Sequence, residues 1–333
     1  MDVTLVSRYY DTRNKGLGSY SKLIYECLKN EPIGLKRISQ EECLFNSFNK
    51  LSYLYYSMID LKRIINKKEY KNSDVFHGLT PLESMHLPKH KSVSTILDVI
   101  PLYEANDFYS NLYAKIYLKS LKSSIKSERI IVMNSNIKNT LIGDYDVDES
   151  IIEMISPPID AQYYPLKKNH DSFVVGTVSG LGKRKRIDLL IKSFLEADIE
   201  NSKLLIGGNG EEKERLISLA KGDDRIEFLG FIPDEEMNEF YNSLDVFVFP
   251  TELEGYGMPM VEAMACKKPV ITLDDADIPI NIKERTFVCS KDELANILIN
   301  REFKCDLKKN VEFYKEHSLK NISSKLIKVY ESI

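Results

Sequence analysis

Two glutamates in the second half of the chain have the spacing and setting to hold one polar ligand. Glu254 and Glu262 flank residues 255–261, which read GYGMPMV. A carboxylate can accept two hydrogen bonds from a vicinal diol such as a ribose. The glycines between the two acids allow a backbone to approach a ligand closely. These residue types predict a polyhydroxylated ligand.

The elements around the two glutamates predict a site for an anion. The apolar run from Val246 to Pro250 is typical of a buried parallel strand. The run from Met260 to Ala265 predicts a helix, with Glu262 in its first turn and Pro259 preset to start it. Such a helix directs free N–H groups at a phosphate. A phosphate beside two carboxylates indicates a nucleotide-sugar, although Glu262 could instead only stabilise the helix start and Glu254 be a solvated loop acid.

A second motif combines a glycine loop with four consecutive cations. Residues 179–186 read SGLGKRKR. A P-loop is excluded, because position 177 is Thr instead of Gly and Arg184 stands where Ser or Thr is required. A solvated run of charge is the alternative, but like charges in a row repel and favour an anionic partner. Cations here could stabilise the negative charge on a departing diphosphate.

Composition excludes several classes of protein. The 333 residues suffice for two domains, and a net charge of −4 does not favour nucleic acid as a partner. The five cysteines are scattered and lack CxxC spacing, which predicts reduced thiols in the cytoplasm and no zinc site. There is no apolar run of about 18 residues that would span a bilayer, and the chain starts with a strand instead of a signal peptide. The aspartates of Asp275-Ala276-Asp277 are expected to form a turn and not a metal site.

The order of predicted elements indicates two α/β domains. Strand, glycine loop and helix follow one another in residues 3–28, and strands alternate with helices in residues 173–249, which predicts parallel sheets. A proline-rich segment ends near residue 168. We therefore expect a Rossmann-like acceptor-side domain at 1–168, a Rossmann-like donor-binding domain at 169–310 facing it across a cleft, and C-terminal helices at 311–333.

Residues 254–265, with Phe249-Pro250 before them and KPVIT at 268–272 after them, resemble the donor-binding segment of the retaining GT-B glycosyltransferases of family 4. The resemblance implies transfer of a hexose from a UDP- or GDP-linked sugar to an acceptor hydroxyl, with retained configuration and with neither metal nor other cofactor. It also implies that the C-terminal helix returns to the first domain. The acceptor would be a growing glycan or a lipid-linked sugar.

The resemblance also assigns roles to individual residues. Glu254 would face the donor sugar, and Arg184 and Lys185 would bind the donor phosphates, which makes these three the expected catalytic residues. The expected donor-binding residues are Gly16, Gly18, Gly255, Tyr256, Gly257 and Glu262.

Two residues are candidates for the acceptor side. His77 ends a short predicted strand, where ligands of open α/β sheets gather. The alternative is a buried histidine whose ring nitrogens are satisfied. Asp98 follows the next strand, but Leu97 stands where relatives often have a histidine near the reacting sugar. This departure supports a second hypothesis, a catalytically silent nucleotide-sugar binding protein, which a donor turnover assay would separate from a transferase.

A predicted helix at residues 106–129 carries cations at spacings of four, three, four and three. We call these residues the basic stripe: Lys115, Lys119, Lys122, Lys126 and Arg129. A solvated helix face is one explanation. The other is contact with anionic lipid headgroups at the inner face of a membrane. A third functional hypothesis, a glycoside hydrolase that uses the two glutamates, is disfavoured by the cations at 183–186, which hydrolysis does not need.

Overall fold

The computed structural model describes residues 1–11, 16–43, 49–102, 108–167, 171–304 and 307–333. The chain divides into two compact units, one made of residues 1–158 with 316–333 and the other of residues 159–315. The position expected for the domain boundary, residue 168, lies outside the described residues.

The first unit is built on a six-stranded parallel sheet with the strand order β2-β1-β3-β4-β5-β6. Its strands are β1 (Asp2–Val6), β2 (Gly34–Ile38), β3 (Val75–Gly78), β4 (Ser92–Ile96), β5 (Arg129–Val132) and β6 (Ile152–Met154). Its helices are α1 (Leu17–Leu28), α2 (Lys50–Tyr55), α3 (Leu61–Ile65), α4 (Pro81–Ser84), α5 (Phe108–Ser124), α6 (Ser135–Tyr145) and α14 (Leu319–Glu331).

Helices α2 and α3 are joined by a π-helical turn at Tyr56–Asp60, and α3 ends at Ile65. One helix prediction in this unit was too long. The helix expected at 106–129 ends at Ser124. The reason is that the apolar residues Ile130–Val132 are fully buried in the sheet, so the chain must leave the helix to form β5.

The C-terminal helix α14 belongs to the first unit, as the predicted fold requires. Ser318 caps the helix by accepting a hydrogen bond from the backbone of Asn321. Apolar side chains recur along one face and are buried against the unit that contains α1, among them Ile322, Leu326 and Tyr330. Burial of this stripe is what holds the end of the chain on the first unit.

The second unit has its own six-stranded parallel sheet with the order β12-β11-β10-β7-β8-β9. Its strands are β7 (Phe173–Val178), β8 (Ser202–Gly207), β9 (Ile226–Gly230), β10 (Val246–Val248), β11 (Val270–Leu273) and β12 (Phe287–Cys289). Its helices are α7 (Ile187–Ala197), α8 (Lys213–Leu219), α9 (Met237–Ser243), α10 (Met258–Ala265), α11 (Ile280–Lys283), α12 (Leu294–Asn300) and α13 (Leu307–Glu316).

The two parallel sheets confirm the predicted fold class of two Rossmann-like halves. In the second unit the chain runs from β7 outward to β9 and then returns to the other side of β7 as β10. The loops after β7 and β10 therefore leave the sheet in different directions, and such a switch point is where open α/β sheets bind ligands. In the described ranges, no helix has both the length and the apolar character needed to cross a membrane.

Candidate functional site

The loops after β7 and β10 bring together the three residues expected to be catalytic. Lys185 Nζ contacts Glu254 Oε1 directly, and Arg184 Nη1 lies 3.1 Å from the same oxygen. The hydroxyl of Thr251 donates to that oxygen as well, at 2.8 Å. The Lys185 ammonium also lies 5.2 Å from the centre of the Phe249 ring. Two cations and one acid, distant in sequence, thus form one cluster at the switch point.

This cluster is partly shielded from solvent. The exposed fractions of the side chains are 12% for Glu254, 15% for Lys185 and 26% for Arg184. Charges in such a setting attract each other more strongly than on an open surface, because less water screens them. The cluster therefore combines close pairing of opposite charges with partial access to solvent.

Backbone contacts fix the loop that carries Glu254. The N–H of Glu252 donates to the Arg184 carbonyl at 2.9 Å, and the N–H of Glu254 donates to the Asp277 carbonyl at 3.0 Å. The Arg186 guanidinium binds both oxygens of Asp275, at 2.8 and 2.9 Å. The loops after β7, β10 and β11 are therefore tied to one another, and the role of Arg186 in this was not predicted from the sequence.

Helix α10 starts earlier than predicted. Gly257 caps it with a φ of 88°, a backbone conformation that favours glycine, so the helix begins at Met258. Glu262 is consequently the fifth residue of α10 and lies beyond the first turn, which corrects the expected position. Of the neighbouring donor-binding candidates, Gly255 is half-buried and Tyr256 is buried.

Glu262 has a hydrogen-bond partner that was not predicted from the sequence. The hydroxyl of Tyr241 donates a hydrogen bond of 2.6 Å to Glu262 Oε2. Tyr241 is fully buried on α9, while the Glu262 side chain is half-buried. Nothing in the local sequence pairs these two residues, which are 21 positions apart.

Gly16 and Gly18 occupy different positions at the start of α1. Gly16 is exposed and caps α1 with a φ of 89°. Gly18 is buried in the first turn of α1. Contact of either glycine with donor phosphates stays a prediction.

For His77 the structure matches the alternative of a buried histidine with satisfied ring nitrogens, and its contact with an acceptor stays a prediction. Its ring is fully buried, with Nδ1 2.7 Å from the Tyr330 hydroxyl and Nε2 2.8 Å from Thr95 Oγ1. Burial lowers the pKa of His77 to about 3, so the ring is neutral. Asp98 is half-buried and accepts a hydrogen bond from the backbone of Ile100; its proposed acceptor role stays a prediction.

A buried acid in the first unit was also missed. Glu83 is fully buried and accepts hydrogen bonds from Tyr53, at 2.7 Å, and from Thr80. Burial raises the pKa of Glu83 to about 7. The sequence does contain a signal, because Thr80 and Glu83 have the spacing of a capping box at the start of α4.

Four members of the basic stripe are exposed. Lys115, Lys119 and Lys122 lie on α5, and Lys126 lies in the turn that follows it. Arg129 belongs to β5, and its guanidinium donates to Ser332 at 3.1 and 3.3 Å. Arg129 therefore does not continue the stripe along a helix, because the helix has already ended.

Comparisons with known proteins agree with the fold. Residues 160–286 match the family model described as glycosyl transferases group 1. The chain is 25% identical over 233 residues to O-antigen chain mannosyltransferase B of Escherichia coli, an alignment that covers 64% of this chain and 60% of the relative. It is 30% identical over 224 residues to alpha-monoglucosyldiacylglycerol synthase of Acholeplasma laidlawii, covering 63% of this chain and 54% of the relative. The matches thus span less than two thirds of these relatives.

Solved structures share the fold across the full length of the chain. Sucrose-phosphate synthase from Thermosynechococcus elongatus superposes with a TM-score of 0.81 at 17% identity, covering 100% of this chain and 98% of that one. Anabaena HepE, solved with UDP and glucose, superposes with a TM-score of 0.71 at 15% identity and covers 100% of both chains. Residues 160–286 are therefore similar to the group 1 glycosyl transferases, and the chain has the GT-B fold.

Proposed function

We propose that the chain transfers a hexose from a UDP- or GDP-linked sugar to an acceptor hydroxyl, with retention of the anomeric configuration and without a metal ion. The observation that carries this proposal is the meeting of Lys185, Arg184 and Glu254 at the switch point of the second sheet. Two fixed cations there suit a diphosphate, and the acid suits the hydroxyls of a sugar.

In the proposed reaction the donor diphosphate replaces Glu254 as the partner of Lys185 and Arg184. The bond between the sugar C1 and the phosphate oxygen breaks, and the diphosphate keeps the electron pair. The acceptor oxygen bonds to C1 on the same face, and its proton passes to the departing diphosphate. Cations that are already in place stabilise the charge as it develops, since they need not reorganise during the reaction.

The remaining donor contacts are proposed for residues near the start of α10. Glu262 would accept hydrogen bonds from the ribose hydroxyls. Gly255, Tyr256 and Gly257 would lie along the donor, because the positive φ of Gly257 sets the start of a helix whose first N–H groups suit a phosphate. Gly16 at the start of α1 and the neighbouring Gly18 are proposed to contact the donor phosphates.

The acceptor is proposed to be a growing glycan or a lipid-linked sugar. Support comes from the names of two relatives, one a mannosyltransferase of O-antigen chains and the other a synthase of a glucosyl diacylglycerol. Asp98 remains a candidate for the acceptor side, since it follows β4 at the carboxyl edge of the first sheet. A membrane-associated acceptor would require the enzyme to work at a membrane surface, on its cytoplasmic side.

The basic stripe is the proposed contact with an anionic membrane. Leu112 is 38% exposed on the same helical face as Lys115 and Lys119. Met58 and Ile59 are 38% and 56% exposed on the π-helical turn. The π-helical turn and α5 both pack against α4, so the two groups of residues are near each other. Lysines beside exposed apolar side chains suit an interface of headgroups and acyl chains.

Vesicle sedimentation tests the membrane contact. We expect wild-type protein to pellet with anionic vesicles and to be released by salt. Reversal of Lys115, Lys119 and Lys122 to Glu should weaken binding at least about tenfold, since each cation contributes about 1 kcal/mol. The matched control reverses three exposed lysines of the second unit, Lys221, Lys291 and Lys304. Equal loss in both triple variants, or no salt-sensitive binding, would contradict the assignment.

A donor panel tests the transfer itself. Thermal unfolding with UDP- and GDP-sugars should identify a stabilising donor. Incubation of that donor with glycan and lipid-linked acceptors should then release the nucleoside diphosphate and give a product of retained configuration, with or without a chelator. A donor that binds and is never turned over would favour the silent nucleotide-sugar binding protein.

A further inference from the structure

Tyr241 is a fully buried residue outside the motifs that suggested the donor site. It lies on α9, and its hydroxyl donates a hydrogen bond of 2.6 Å to Glu262 Oε2. A bond from a neutral hydroxyl to a carboxylate is short and comparatively strong. Glu262 is the acid proposed to hold the ribose. Because of the bond from Tyr241, its carboxylate already has a hydrogen-bond partner inside the protein.

The ring of Tyr241 is fixed by aromatic neighbours. Its centroid is 5.8 Å from that of Tyr163, 5.5 Å from that of Phe240 and 5.5 Å from that of Phe247, all in edge-to-face contact. Such contacts favour one ring orientation. Phe247 belongs to β10, the strand that leads to Glu254. The position of the hydroxyl is therefore set by the core of the second unit.

We propose that Tyr241 is a positioning residue, which holds the Glu262 carboxylate in the orientation that accepts the ribose hydroxyls of the donor. This inference rests on the proposed function. Each carboxylate oxygen can accept two hydrogen bonds, so the bond from Tyr241 leaves room for a bond from a ribose hydroxyl. Because the side chain is already ordered before the donor arrives, less conformational entropy is lost on binding.

Protonation supports the direction of this bond. Burial and the charge of Glu262 both raise the pKa of Tyr241, so its hydroxyl keeps its proton and donates. A donated hydrogen bond favours the ionised carboxylate in return. The other titratable and charged groups in this region are Tyr163, Tyr314, Cys266, Asp160, Asp234 and Lys268. Burial raises the pKa of Cys266 to about 12, and it also raises that of Tyr163, so neither ionises between pH 5 and 9.

The test is the Tyr241→Phe variant, which keeps the ring and removes the hydroxyl. We expect the donor KM to rise about five- to tenfold with little change in kcat, as for the loss of one hydrogen bond to a charged group. The acid limb of the kcat/KM profile should move to higher pH, because ionised Glu262 loses a bond that favours its charge. The matched control is Tyr314→Phe, whose hydroxyl donates to the Tyr163 carbonyl and not to a carboxylate. It should leave the donor KM and the pH profile unchanged.

A double-mutant cycle separates an effect of Tyr241→Phe that acts through Glu262 from an unspecific effect of the substitution. In a Glu262→Ala background, Tyr241→Phe should raise the donor KM no further, because the partner is already gone. Full additivity, or an unshifted pH profile in the single variant, would overturn the role of Tyr241. If Glu262→Ala itself leaves the donor KM unchanged, the proposed role of Glu262 fails instead. If no donor is bound at all, the proposed function fails.

Discussion

The ionisable groups near the carboxyl edges of the two sheets lie in opposite environments. In the first unit, His77 and Glu83 are fully buried, and burial moves their pKa values to about 3 and about 7, so both are pushed toward their neutral forms. In the second unit, Lys185, Arg184 and Glu254 are partly exposed and paired with one another. Similar folds thus place a neutral hydrogen-bonded network in one unit and a charged cluster in the other.

The difference shows what keeps a charge at a sheet edge. Burial without an ionic partner penalises the charged form, and hydroxyl partners such as Thr95 and Tyr53 do not compensate fully for the lost water. A nearby opposite charge, by contrast, attracts the charged form. An anionic ligand can therefore take the place of Glu254 as the partner of the cations in the second unit. In the first unit, His77 and Glu83 offer such a ligand no comparable charge.

The largest expected effect comes from removing the negative charge of the cluster in the second unit. Glu254→Gln should lower transfer about 100-fold, since a charged group proposed to contact the sugar is lost. The same variant should bind the nucleoside diphosphate about two- to fivefold more tightly, because the cations no longer pair with an internal acid. Initial rates and calorimetric titration measure the two effects. Weaker diphosphate binding would show that Glu254 and the donor do not compete for Lys185.

The buried groups of the first unit should reveal themselves in the pH dependence of stability. Folding lowers the pKa of His77 from 6.5 to about 3. On acidification the unfolded chain therefore binds a proton before the folded chain does, and stability is lost as pH falls below 6.5. The pKa of Glu83 rises from 4.5 to about 7, so stability is lost as pH rises above 4.5. Between pH 5 and 7 each group changes the free energy of unfolding by about 2 kcal/mol, in opposite directions.

Single variants separate these opposing contributions. His77→Gln should become more stable, relative to its own value at pH 7, as the pH is lowered to 5. Glu83→Gln should become less stable over the same range. Chemical denaturation at several pH values measures both slopes. Parallel slopes in the two variants would contradict the assignment of buried neutral groups.

Loss of the second acid should have a smaller effect than loss of Glu254. Glu262→Ala is expected to raise the donor KM by about tenfold, through the loss of charge-assisted hydrogen bonds to the ribose. Glu239→Ala, at an exposed position on α9, is the control and should not change the donor KM. Unchanged donor kinetics in Glu262→Ala would refute the ribose contact.

The smallest effect concerns the start of α10. Gly257→Ala should destabilise the protein by about 1 to 2 kcal/mol, because its φ of 88° is unfavourable for a residue with a Cβ atom. The added Cβ would also meet the end of the Met260 side chain. Gly180→Ala is the control, since open space surrounds its Cβ position. Equal unfolding midpoints for the two variants would contradict this reading of the cap.

The features that could be predicted from the sequence are those that depend on the local pattern of residues. Apolar runs such as Val246–Val248 identified strands of a parallel sheet, and alternation with helices identified the fold class. Most residues of the charged cluster in the second unit were predicted from their positions after strands, because parallel strands end at the same edge of a sheet. The direct pairing of Glu254 with Lys185 was not predicted, since it depends on β7 and β10 being neighbours.

What the sequence did not predict depends on long-range packing. The partner of the buried His77 ring is one case, because α14 returns to the first unit and places Tyr330 against it. The contact of Tyr241 with Glu262 similarly requires α9 to pack beside α10. Local spacing contains no information on either contact.

The central claim is that Lys185 and its neighbours bind a diphosphate. The most direct test is calorimetric titration of UDP and GDP into the full chain and into Lys185→Ala, with Lys192→Ala as control, because Lys192 pairs with Asp188 at an exposed position. We predict that at least one diphosphate binds wild type and the control alike and that Lys185→Ala weakens this binding about tenfold or more. Equal affinity of wild type and Lys185→Ala, or no binding of either diphosphate, would contradict the account.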